Sequence, residues 1–178
     1  MPAAPAPLDE AARYSALMGY HLRQSVLGDA TADALVREAV RYFHTPQSAI
    51  ALVGLSTVYF VAAEGVSFHT LPRDISFCGY AIHGQKPLIV PDTTLDSRFA
   101  DNPLVIGGPL VRFYAGAPLV DQDGYSLGTF CIVDTKPRSL ASQDVAELVR
   151  LSELAMRRID FLATVAELFS YADASMLV

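Results

Sequence analysis

Apolar positions along the chain change their period several times, and each change marks an element. From Leu8, Ala12 and Leu17, with Leu22 and Val26 further on, a weak apolar stripe predicts a helix that Gly28 and Asp29 break. Leu35, Val36, Ala39, Val40 and Phe43 recur at helical spacing and predict a second helix, with Asp29 or Thr31 as its cap and Pro46 beyond its end. Short apolar runs follow. Ser48 to Leu55 and Val58 to Ala63 read as strands joined by a tight turn at Ser56 and Thr57. Ser76 is placed to cap a short helix through Ile82, which Gly84 stops. Pro87 to Val90 is a short strand, and Asp96 is placed to cap a helical turn before Pro103. Val111 to Val120 and Ser126 to Asp134 form a hairpin around Asp123-Gly124.

The last element is a helix from about Ser142, with Asp144 in its first turn, to about Phe169. At ~1.5 Å per residue it reaches about 40 Å, more than one small sheet needs as cover. Val145, Leu148, Leu151 and Leu154 face the domain. Leu148, Leu151, Ala155, Leu162, Val165 and Phe169 follow a seven-residue repeat interrupted at Arg158. One reading packs the whole helix along its own domain. The favoured one carries it out of the domain to pair with a second copy, so that terminal helices build a homodimer.

Composition narrows the class. The 178 residues suffice for one core; 52% hydrophobic and 18% charged residues exclude a disordered chain. No apolar run approaches the length of a membrane span, and MPAAPAPLDE lacks the start of a signal peptide, so a cytoplasmic protein is expected. A net charge of −6, with 13 scattered basic residues, argues against a nucleic-acid partner. Cys78 and Cys131 have no zinc spacing, and a disulfide is not expected in a reducing compartment. His21, His44 and His69 show no metal spacing either; only His69 merits a test as a haem or metal ligand. Residues 1–7 read as a loose leader, 8–170 as one domain and 171–178 as a tail.

Candidate chemistry sits between Ser76 and Arg138. In VRFYAGAPL, alternation puts Arg112, Tyr114 and Gly116 on one face, and Phe113, Ala115, Ala117 and Leu119 on the face that meets the helices. An Arg on a sheet face needs a carboxylate or an anion. It is either an anion clamp for a ligand or the partner of Asp92 or Asp96. Arg98 and Asp101 have the spacing of a surface ion pair. Asp92 and Asn102 are the loop residues placed to touch a ligand, while Phe77, Tyr80, Phe99 and Tyr114 either line a cavity or fill the core. Cys78 pairs with His83 as a reactive site or packs beneath the cavity; Cys131, between Phe130 and Ile132, reads as core.

The segments SFCGYAI (76–82), PLIVPDTTLDSRFADNPLV (87–105), VRFYAGAPL (111–119) and LGTFCIVDTKPR (127–138) together resemble the GAF domain family, in particular bacterial modules found in front of histidine kinases and diguanylate cyclases. LDEAARYSAL (8–17) and the strand around Ile50 to Leu55 extend the resemblance over nearly the whole chain. It implies an α+β fold, with an antiparallel central sheet, N- and C-terminal helices on one face and a ligand cavity on the other. It further implies a sensory, noncatalytic role: a small-molecule ligand, a helical dimer and a downstream signalling domain or protein as partner. Ligand-binding residues are then Arg112, Tyr114, Asp92, Asn102, Cys78, Phe77 and Phe99. Bilin-binding relatives carry a Cys followed by His; Gly79 follows Cys78, so a covalent bilin is not expected, and the sequence names no other cofactor. The alternatives are a thiol-dependent enzyme of the free methionine sulfoxide reductase type, using Cys78, and a docking module with a vestigial pocket. The chain departs from the family in its very short connection between the first two strands.

Overall fold

The computed structural model describes residues 4–20 and 28–175, with side chains through residue 168. The expected stripe positions Leu22 and Val26, His21, the first three leader residues and the last three of the tail lie outside them. Six strands form one sheet: β1 (Gln47–Val53), β2 (Thr57–Glu64), β3 (Thr70–Pro72), β4 (Leu88–Val90), β5 (Phe113–Val120) and β6 (Ser126–Asp134). Their spatial order is β3-β2-β1-β6-β5-β4, with antiparallel pairing throughout. The helices are α1 (Glu10–Gly19), α2 (Ala30–Phe43), α3 (Phe77–Ala81), α4 (Pro103–Ile106) and α5 (Ser142–Ser175).

Alternation on the central strands splits the core in two. Ile50, Leu52, Phe113, Ala115, Ala117, Leu119, Phe130 and Ile132 pack with α2 and α5. On the opposite face Ala49, Ala51, Val53, Tyr114 and Cys131 pack with α3 and the segment around Phe99 and Val105. The second face bears the cavity.

The helices begin where their caps allow. Asp29 accepts from the Ala32 amide at 2.9 Å and starts α2. His44 ends it in the left-handed region at φ 51°, and Arg138 donates to the His44 and Phe43 carbonyls left open there. Arg158 interrupts the apolar repeat of α5 because it donates to Asp29 with two bonds. The first half of α5 buries Leu148, Leu151, Ala155, Met156 and Ile159. The expected inner positions Val145 and Leu154 are only half-buried. Beyond Asp160 the helix carries Phe161 and Leu168, 55% and 65% exposed.

One local expectation changes, and some short elements were not expected. The strand β3 and the single turn Arg73–Ile75 that follows it carry too few residues for a periodic signal. Asp96 caps a helical turn before Pro103 as expected, accepting from the Arg98 amide while its carbonyl accepts from the Ala100 amide; a further short helix, α4, starts at Pro103, because Asn102 accepts from the Leu104 amide and Pro favours the first helical position. Residues 4–7 of the expected leader run beside α3: the Pro5 carbonyl bonds the His83 ring, and a Cβ on Gly79 would meet that of Ala4 at 2.9 Å.

Candidate functional site

Gly116 explains how an aromatic phenol lies flat on the middle of the sheet. Tyr114 stands two residues away on the same face of β5, and its hydroxyl occupies the space of the missing side chain: a Cβ on Gly116 would sit 2.2 Å from that oxygen. Across the ladder from Gly116 is Cys131. The Tyr114 hydroxyl donates to Cys78 Sγ at 3.6 Å. Cys78 hangs from α3, which Ser76 starts by accepting from the Cys78 amide at 3.1 Å. Phe77 of the same turn stacks on Tyr114, with ring centroids 5.0 Å apart and planes 17° from parallel. Phe99 packs behind Phe77 at 4.6 Å.

Ser76, Phe77, Cys78, Tyr114 and Cys131 border a cavity of about 60 Å³, bounded also by Phe60, Phe68, Leu71, Val111 and Val133. That volume holds about two waters, by the ~30 Å³ each occupies in the liquid. Both cysteines are free and buried. The Cys131 thiol donates toward Cys78, holding Cys78 below the usual thiol range against the opposing effect of burial; Cys131 is raised by the same bond and by burial. Burial likewise raises Tyr114, so the phenol keeps its proton. The Thr129 hydroxyl is buried beside both thiols.

Of the residues singled out in the sequence, Phe77, Cys78 and Tyr114 come together at the cavity. Arg112 does not join them, since its guanidinium donates to the Val105 and Val111 carbonyls at 2.8 and 3.0 Å. It is neither the expected clamp nor a direct ion-pair partner; its charge acts weakly on Asp92, whose carboxyl is lowered first by its bonds to Thr94. Asn102 is fully buried and spent on structure, accepting from Leu104 and donating to the Ile75 carbonyl at 2.9 Å. Phe99 is core behind the cavity wall. Arg98 pairs with Asp96 at 2.6 Å. His83 is exposed and bonded to Pro5, so no Cys78–His83 pair exists. His69 is exposed, and no metal-binding cluster occurs among the described residues. The residue that sequence reasoning passed over is Cys131. Its alternation with Thr129 and Val133 put it on the cavity face, but its neighbour Gly116 lies 15 positions away and only strand register joins them.

A second polar group escaped the sequence altogether. Arg13 of α1 is buried and donates to both Glu10 carboxylate oxygens at 2.8 Å. Arg73, also buried, donates to Glu10 and to the Gly54 carbonyl. Burial pushes the Glu10 carboxyl up, yet hydrogen bonds from Arg13 and Arg73, and then their charges, prevail and hold it at about 2. This cluster ties α1 to the turn that leads into α3.

A sheet with terminal helices on one face and a small capped cavity on the other matches the GAF domain family model over residues 28–170, and the chain belongs to that family. A cyclic di-GMP phosphodiesterase of Pseudomonas aeruginosa is 43% identical over 132 residues, which are 74% of this chain and 22% of that protein. The chain thus spans about a fifth of this relative's length. Residues 122 to 287 of a methyl-accepting chemotaxis protein share the fold with a TM-score of 0.63 at 18% identity, covering 83% of this chain and 98% of that one. A free methionine-R-sulfoxide reductase from Neisseria meningitidis does so with a TM-score of 0.62 at 15% identity, covering 88% of each chain. The expectation that the chain is not an enzyme is corrected by these relatives: one is named a phosphodiesterase and another a reductase, so neither the family nor the fold excludes catalysis. No helix among the described residues is long and apolar enough to cross a membrane.

Proposed function

We propose that this chain is a sensory GAF domain that takes a small molecule in the cavity between α3 and the sheet and passes its occupancy to a signalling partner through α5, within a homodimer. The observation that carries this is the two-part character of α5. Its first half is buried on the sheet that forms the cavity floor, while its later turns present Phe161, Leu162, Val165 and Leu168 on or near the surface. A helix of 34 residues spans about 50 Å at 1.5 Å per residue. An apolar stripe of this kind fits a second copy of the same helix.

The 43% identity to a phosphodiesterase supports a place in cyclic di-GMP signalling. A cyclic dinucleotide needs several hundred Å³, the range of small-molecule sites in general, and the cavity has about 60 Å³. The reading therefore assigns to this domain the control of such an activity by a much smaller effector. Thermal unfolding of the purified chain against a panel of small metabolites tests it. An effector at a hundredfold excess over its Kd raises stability by roughly 2.7 kcal/mol, and substitution of Tyr114 abolishes the shift. A panel without any shift, on a chain that is monomeric by light scattering, rejects it.

A second reading, thiol-dependent reduction of a small sulfoxide, is favoured by the paired thiols at the cavity wall. Release of methionine from free methionine sulfoxide, compared with Cys78→Ser, decides it.

A further inference from the structure

We propose that Cys78 and Cys131 form a built-in dithiol switch that a small hydroperoxide entering the cavity converts to an intramolecular disulfide. The inference rests on reading this cavity as the sensing site, and it names the effector class: an oxidant little larger than water.

Four observations converge. Both cysteines are free, buried and on the wall of one cavity, although they come from different elements, α3 and β6. They pack in one cluster: Cys131 lies across the ladder from Gly116, the Tyr114 hydroxyl covers Gly116, and that hydroxyl reaches Cys78 Sγ at 3.6 Å. The walls are mainly apolar, and the polar groups on them are the Tyr114 hydroxyl, 3.6 Å from Cys78 Sγ, the Ser48 hydroxyl, buried without a hydrogen-bond partner, and the side chains of Ser76 and Gln47. Finally, about 60 Å³ admits hydrogen peroxide and excludes bulky oxidants. A pair of thiols serving only as core would need neither an adjacent phenol nor a void beside it.

The chemistry balances. The Cys78 thiolate attacks one peroxide oxygen; the O–O bond breaks, a sulfenic acid forms on Cys78, and the departing hydroxide takes a proton to leave as water. Tyr114 keeps its proton at neutral pH and stands where it can supply that proton, to be reprotonated from solvent. The Cys131 sulfur then attacks the sulfenic sulfur, the S–O bond breaks, and a second water leaves with the Cys131 proton. In sum, two thiols and one hydrogen peroxide give a disulfide and two waters. Of the two thiols Cys78 is the better nucleophile, because the bond from Cys131 favours its ionised form. Closing the S–S bond draws α3 toward β6. Gly79 of α3 sits against Arg73, where a Cβ would lie 3.0 Å from the Arg73 carbonyl oxygen. Arg73 in turn holds Glu10 of α1, so this displacement reaches the N-terminal helix.

The test treats the reduced, folded chain with hydrogen peroxide, removes the peroxide, alkylates the remaining thiols in denaturant and maps the peptides without reduction. The expected product is a single Cys78–Cys131 crosslink, a loss of about 2 Da for the two hydrogens removed, reversed by dithiothreitol. Cys131→Ser is expected to stop at a Cys78 sulfenic acid, trapped by unfolding the oxidised chain in the presence of dimedone. Two results overturn the proposal: both thiols still alkylated in the folded chain under peroxide that oxidises the urea-unfolded chain, or sulfinic acid at either cysteine without the crosslink. Neither touches the wider sensory reading, which stands or falls on the effector panel and the dimer.

Discussion

Arg158, in the middle of α5, donates two hydrogen bonds to Asp29, at 3.0 and 2.6 Å. Asp29 is at the same time the cap of α2, so one carboxylate starts one helix and anchors another 129 residues away. Asp29→Ala removes both roles. The lost cap alone costs about 0.5–2 kcal/mol, and the stranded, partly buried Arg158 adds to it. Asp29→Asn keeps a capping oxygen and loses the charge pair, so urea denaturation places it between wild type and Asp29→Ala.

Acid is expected to loosen the N-terminal helix at the Glu10 cluster. The carboxyl stands at about 2 in the fold against an ordinary value of 4.5. Because the folded value is the lower one, its contribution to stability is complete above pH 4.5 and disappears as pH falls from 4.5 toward 2. Glu10→Gln removes that contribution at every pH, leaving two buried guanidiniums without a carboxylate. Its unfolding midpoint falls below that of wild type at pH 7, and the gap narrows between pH 4.5 and 2.

Gly116→Ala pushes a methyl into the Tyr114 phenol, at 2.2 Å from its oxygen and 2.7 Å from Cζ. The ring must move off the sheet, at about 1–3 kcal/mol for overpacking. Tyr114→Leu, which clears that space, partly rescues Gly116→Ala in a double-mutant cycle by thermal unfolding. Equal losses with and without the phenol would show that the strand backbone itself, and not Tyr114, carries the strain.

The exposed stripe of α5 sets a prediction for assembly. Phe161→Glu with Leu168→Glu places charges in the proposed helix seam and converts a dimer to a monomer by light scattering. The midpoint of thermal unfolding then becomes independent of protein concentration. A monomeric wild-type chain sinks the dimer.

Much of the architecture was legible because it depends on local rules. Alternation in VRFYAGAPL sends Phe113, Ala115, Ala117 and Leu119 to the helices and Tyr114 to the cavity, as the structure has it. Asp29, Ser76 and Asp123-Gly124 mark starts and turns, since capping and turn chemistry act over three or four residues. The motif set between Ser76 and Arg138 was enough to place the chain in its family.

What the sequence could not settle lies in partners far apart along the chain. Alternation correctly put Cys131 on the opposite side from Phe130, but the strand pattern alone called it core; the register with Gly116 and the placement of α3 make it the neighbour of Cys78. Arg112 looked like a ligand clamp because an Arg beside a buried Tyr needs an acceptor, and the fold met that need with two main-chain carbonyls. Arg13 is compensated locally by Glu10, three residues before it, and what the sequence did not show is that Arg73, 63 residues from Glu10, shares that carboxylate. The chain by itself determined the elements and their apolar faces, because burial and capping are read from neighbouring residues. Tertiary structure alone decided which polar groups meet, because hydrogen bonds of 3 Å between groups tens of residues apart are set by how the layers pack.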